Sequence, residues 1–125
     1  MADVAAVTTV TEKIEGPVKE IKFTFTSGEG IYAGTAEQAT TNTYNGKMIW
    51  VVIDPGSTAP TADWDLTITD SDSLDVLQGG GADCSATVTE YIAKASLGAV
   101  CNSILTMNVT NAGDQKTGAV YLFIR

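Results

Sequence analysis

The sequence predicts an all-β protein: an antiparallel β-sandwich or jelly-roll-like single domain with an extended N-terminal arm. Three observations point there. Apolar residues make up 44% of the chain and charged residues only 18%, with abundant threonine, glycine and alanine and no long Leu/Lys/Glu run, a balance that favours strands. Seven to nine short segments either alternate apolar with polar residues or are continuously apolar, and turn residues punctuate them every eight to twelve positions. No alternation of strand and helix patterns intervenes. At 125 residues the chain fits one domain, and such a chain buries roughly two-thirds of its unfolded surface. Residues 1–16 read as the arm and residues 17–125 as the sandwich.

The elements follow in order. Gly16-Pro17 marks a turn after TEKIE. In VKEIKFTFT, Ile21, Phe23 and Phe25 share one face while Lys22, Thr24 and Thr26 share the other, the period of a half-buried strand. Gly28 and Gly30 end it. The stretch from Ile31 to Gly56 contains AEQA, but its apolar residues do not recur at helical spacing, so two strands are expected. Asn45-Gly46 is a two-residue hairpin signal placed just before MIWVVI. Met48 to Ile53 is apolar on both faces and reads as a central strand packed on two sides, closed by Asp54-Pro55-Gly56.

Further along, DWDLTIT sets Trp64, Leu66 and Ile68 against Asp63, Asp65, Thr67 and Thr69. Leu74, Val76 and Leu77 form a short apolar piece that Gly79-Gly80-Gly81 breaks. SATVTEYI, residues 85–92, reads as a further strand or edge segment, and residues 93–100 carry no clear pattern. ILTMNVT, the turn NAGDQKTG and AVYLFIR read as a closing hairpin whose second strand is apolar on both faces.

Charge and composition remove several function classes. The chain carries a formal charge of −8 with seven scattered basic residues, whereas phosphate recognition needs clustered Lys or Arg, so no nucleic-acid partner is expected. Histidine is absent, which excludes Ser-His-Asp, Cys-His and His-metal chemistry. No apolar run approaches the ~20 residues that span a bilayer, so no membrane partner is expected. Cys84 and Cys101 lack CxxC spacing, and the start MADVAAVTTV lacks the pattern of a secretory leader. Free thiols in a protein made in a reducing cytoplasm are the expectation.

The acidic run is the densest concentration of potential chemistry. Asp70, Asp72 and Asp75 imitate the opening of a calcium loop, yet position six counted from Asp70 is Asp75 and position twelve is Gly81, where an EF-hand needs glycine and a bidentate glutamate. A tight turn in which the Asp70–Ser73 side chains accept nearby backbone N–H groups is the competing reading. Asp63 and Asp65, two apart on one strand, would lie about 7 Å apart on one face, a separation open to paired-carboxylate chemistry. Nothing in their setting raises either pKa, however, and no enzyme is expected. Trp50, Trp64, Tyr32, Tyr44 and Tyr91 would serve as a sugar-stacking platform or as core, and the facing of Trp64 favours core for that residue. GGGA at 79–82 has neither phosphate-loop spacing nor a lysine, and reads as a flexible connection or a close backbone approach. No catalytic residue, cofactor or metal site is assigned; Asp70, Asp72 and Asp75 are the candidates should an ion bind.

The stretch DWDLTITDSDSLDVLQGGGADCSATVTEYI, followed by LTMNVTNAGDQKTGAVYLFIR, resembles small virion structural proteins of tailed bacteriophages. In that group a strand ends in TDxDGxDLLxGxGAN, SATxTE follows, and LTLxVTNAGxxxxGxVxLYxR closes the chain. TNTYNGKMIWVVIDPG is similar to the middle of the group. Ser73-Leu74 stands where glycine is usual, and Asp83-Cys84 lies near the group's asparagine. The resemblance implies a non-enzymatic capsid cement or decoration protein on the outer capsid surface. It would bind the major capsid protein and associate with itself as a symmetric homo-oligomer. The alternatives are a neck or tail component, or a calcium- or carbohydrate-binding sandwich module. The expected contact regions are the arm at 4–11 and the loops at 70–75 and 79–83.

Overall fold

A computed structural model describes residues 3–125. Among the described residues nine strands form: β1 (Val7–Glu15), β2 (Val18–Thr26), β3 (Ala36–Ala39), β4 (Tyr44–Pro55), β5 (Asp65–Thr69), β6 (Glu90–Ala93), β7 (Ala99–Ser103), β8 (Thr106–Thr110) and β9 (Thr117–Ile124). Two short 3-10 turns, Gly30–Tyr32 and Lys94–Ser96, are the remaining regular elements. All strand pairings are antiparallel. The larger sheet runs β1-β2-β9-β4-β6, with β7 pairing the first residues of β4, and the smaller runs β3-β8-β5. The six-and-three division is that of a two-sheet sandwich.

Alternation builds the core as expected. Ile21, Phe23 and Phe25 of β2, Val120, Leu122 and Ile124 of β9, and Val51 and Ile53 of β4 face Leu66 and Ile68 of β5 and Met107 and Val109 of β8, and all are buried. Trp64 lies between the layers, fully buried, with its ring 5.5 Å from that of Phe25 and its indole N–H donating to the Ser85 carbonyl at 3.1 Å. Buried aromatic N–H groups need such a partner.

Several expectations are corrected. The extended arm is, from Val7 to Glu15, the outer strand of the larger sheet, paired residue for residue with β2 across the Gly16-Pro17 turn. Asn45-Gly46 does not turn the chain. Both residues lie inside β4, where the register shifts between Tyr44 and Gly46. Gly46 has φ +130°, and a side chain there would collide with the Arg125 carbonyl, which accepts the Lys47 N–H at 3.0 Å. Glycine is thus required for a close crossing rather than for a hairpin.

Nor do β8 and β9 form a hairpin. β8 has β3 and β5 on its two edges and β9 has β2 and β4, so neither has an edge left for the other. The connecting loop binds elsewhere: Ala112 N–H donates to the Gly34 carbonyl, Thr61 N–H to the Ala112 carbonyl, and the Ser27 hydroxyl to the Gly113 carbonyl. The loop carries the chain from one sheet to the other. Within the 48–53 run of β4, only Met48, Val51 and Ile53 are fully buried, while Trp50 is 40% exposed, so the strand is central but packed on one face. The strand expected over 85–92 shortens to Glu90–Ala93, because the Ser85 hydroxyl accepts the Thr87 and Val88 N–H groups in a local turn.

Candidate functional site

The acidic run resolves into two backbone-bracing turns. Asp70 Oδ1 accepts the N–H groups of Asp72 at 2.9 Å and Leu74 at 3.0 Å. Asp75 Oδ1 accepts those of Ile68 at 3.2 Å and Leu77 at 3.0 Å, and its Oδ2 that of Gly79 at 3.0 Å. Asp72 lies exposed on the turn. The tight-turn reading therefore holds at Asp70 and extends to Asp75, whose carboxylate fastens the turn to β5. Among the described residues no group of three or more Asp, Glu or Cys side chains is placed to hold a metal ion.

The second carboxylate pair is not assembled. β5 begins at Asp65, and Asp63 precedes it with φ +66°, so the two do not share a regular strand face. Asp65 accepts the Asp83 N–H at 3.0 Å and the Asn111 side-chain amide at 2.7 Å. Those bonds, the backbone one first, hold its pKa below the ordinary value, opposite to the shift that a general acid needs. The GGGA segment is the close backbone approach: Leu66 N–H donates to the Gly81 carbonyl at 2.7 Å, and a side chain at Gly81 would strike the Leu66 carbonyl.

Both cysteines are free thiols, Cys84 buried and Cys101 exposed. Burial, with the neighbouring carboxylates of Glu90, Asp65 and Asp83, pushes the Cys84 thiol up to about 12, so it is an inert packing group. Sequence reasoning missed Glu12 and Lys47. The Glu12 carboxylate accepts the N–H groups of Thr41 and Asn42 and the Tyr44 hydroxyl, at 3.0, 3.1 and 2.7 Å, and so ties β1 to the segment between β3 and β4. Burial raises its pKa, but these hydrogen bonds outweigh burial and leave it lowered. Lys47 Nζ donates to the carbonyls of Lys94, Leu97 and Gly98, closing the connection from β6 to β7.

The aromatic residues divide. Trp64 and Tyr44 are core. Trp50 and Tyr91, 40% and 61% exposed, stand together on the outer face of the larger sheet with ring centroids 5.7 Å apart. Register places them in two adjacent rows: Lys22, Tyr121, Val52 and Tyr91 in one, and Lys13, Glu20, Phe123, Trp50 and Ala93 in the next. Val52, Tyr121 and Phe123 are half-buried, Lys22 Nζ lies 5.3 Å from the centre of the Tyr121 ring, and Lys13 pairs with Glu20 at 3.5 Å. Beyond these rows a shallow groove of about 410 Å³ opens over Thr24, Ala119 and Asp54. This aromatic face is the surface best suited to recognition. Tyr121 and Phe123 went unassigned because a strand apolar on both faces reads as buried on both. No protein-family model matches the chain, and no curated protein or solved structure matches it.

Proposed function

We propose that the chain is a structural component of a tailed-phage virion, a cement or decoration protein made in the host cytoplasm that binds the major capsid protein on the outer shell. The supporting observation is the way the phage-protein pattern meets this backbone. Ser73, where the pattern has glycine, has φ +63°, and Asp83, near the pattern's asparagine, has φ +53°. Glycine and asparagine are the residues that accept such angles most readily. Asn111 of the shared TNAG stretch is also left-handed, at φ +60°. The pattern thus corresponds to what this backbone demands, with its carboxylates used as braces.

A rigid module of this kind strengthens a shell by adding buried interface at each of many equivalent positions. Quantitative mass spectrometry of purified virions tests the reading: a copy number comparable to that of the major capsid protein is expected. A copy number of a single ring would replace it with a neck or tail component, and absence from virions would remove it.

A further inference from the structure

We infer that the aromatic outer face of the larger sheet is a self-association surface, on which a second copy of this chain packs face to face. Aromatic side chains present ~150–250 Å² each, so the exposed parts of Trp50 and Tyr91 alone amount to roughly 200 Å² of contiguous apolar surface. With Val52, Tyr121 and Phe123 the patch reaches about 300 Å², a size at which patches on monomers are often functional. At the roughly 60% apolar content of interfaces, such a centre with its rim buries about 1,000 Å² in a pair, the size of a weak, reversible interface.

Charge selects a second copy as the occupant. An isologous contact sets a face against itself, which a chain of net charge −8 tolerates only where its acids are balanced. The two aromatic rows and the row of Thr24 and Asp54 beside them meet that condition, since Lys13 and Lys22 accompany Glu20 and Asp54 there. The outer face of the smaller sheet does not: Glu37 and Asp65 stand there among Thr67, Thr69, Thr106, Asn108 and Thr110 with no cation on its strands. The arrangement is also self-complementary. A two-fold axis along β9 and between the copies brings β2 of one over β4 of the other. Lys22 is level with Val52, and Asp54 lies two residues, about 7 Å, further along β4, within the sweep of a lysine's four-carbon stem. Facing sheets leave ~10 Å between them, which the rings of both copies fill.

Sedimentation equilibrium of the intact chain across a wide concentration range tests this, and the outcome does not depend on the virion reading. A reversible dimer is expected. Trp50→Ser with Tyr91→Ser should weaken association by at least about a hundredfold and leave the melting curve in place at concentrations where the parent is monomeric. Lys22→Glu and Asp54→Lys should each weaken it about tenfold, and the double charge swap should restore it. A monomer at all concentrations overturns the inference, as does a dimer indifferent to Trp50 and Tyr91. Trp50-dependent glycan binding by a monomer would reassign the face to carbohydrate. A dimer absent from virions would remove the proposed function while leaving this inference standing.

Discussion

The two outer faces of the sandwich are built by the same alternation and differ in what it exposes. On the smaller sheet the outward positions of β5 and β8 are Asp65, Thr67, Thr69, Thr106, Asn108 and Thr110, and Glu37 stands beside them on β3. On the larger sheet they include Trp50, Val52, Tyr91, Tyr121 and Phe123. An antiparallel sheet covered on one side needs polar residues on the other, and the smaller sheet obeys. The larger sheet satisfies its core with Val51, Ile53, Val120, Leu122 and Ile124, and carries Trp50 and Tyr91 exposed on its other side. Alternation therefore fixes the core side of each sheet and leaves the character of the other side open, polar on the smaller sheet and aromatic on the larger.

Both faces rest on the core between them. Trp64→Ala, at the centre of the core, should cost about 3–5 kcal/mol in denaturant unfolding, and a smaller loss would mean that the sheets are not coupled through it. Asp75→Ala removes a carboxylate with three backbone donors at the edge of β5. Its expected cost is about 2–3 kcal/mol, with the loss confined to stability and calcium titration silent in both proteins.

Next comes Glu12, which joins the edge of the larger sheet to the start of β4. Its pKa is lowered on folding from 4.5, so its contribution is present above that value and is lost as pH falls through the lower folded value. Glu12→Gln should therefore cost about 1–2 kcal/mol at neutral pH, and the melting temperature of the variant should fall less steeply than that of the parent between neutral pH and pH 3. Parallel pH profiles would refute that role. Ser73→Gly relieves a left-handed residue and should stabilise by about 1 kcal/mol. The smallest effect is the most pointed: Trp50→Thr, which gives the larger sheet the character of the smaller, should shift stability by no more than about 0.5 kcal/mol. A large loss would mean that the aromatic face supports the fold itself.

Strands that alternate cleanly were legible in the sequence, and β2 and β5 have the expected facing, because one buried face imposes period two. The misread segments share a cause in partners distant along the chain. Asn45-Gly46 has the composition of a turn, but its glycine answers to Arg125. NAGDQKTG has the composition of a hairpin loop, yet its bonds go to Ser27, Gly28, Gly34 and Thr61. The local Asp70 turn was readable because both of its donors lie within four residues, whereas the partners of Glu12 lie 29 to 32 residues away. The aromatic face was half visible: Trp50 and Tyr91 belonged to the platform considered, while the neighbours that complete it depend on strand order.

The position of β9 bears on how the protein is made. This strand comes last in the sequence and lies between β2 and β4, with Ile124 opposite Lys19 on one side and Met48 on the other. A ribosome synthesising the chain releases the β1-β2 pair and β4 first, and the strand that joins that pair to β4 is still to come. The larger sheet cannot close until residues 117–124 clear the exit tunnel, and the β9 pairings then span 91 to 105 residues to β2 and 63 to 76 to β4, the kind of long-range closure that folds slowly. Until that moment the nascent chain presents the open edges of β2 and β4 together with Trp50, so expression at low temperature, or with a chaperone that shields strand edges, should raise the soluble yield.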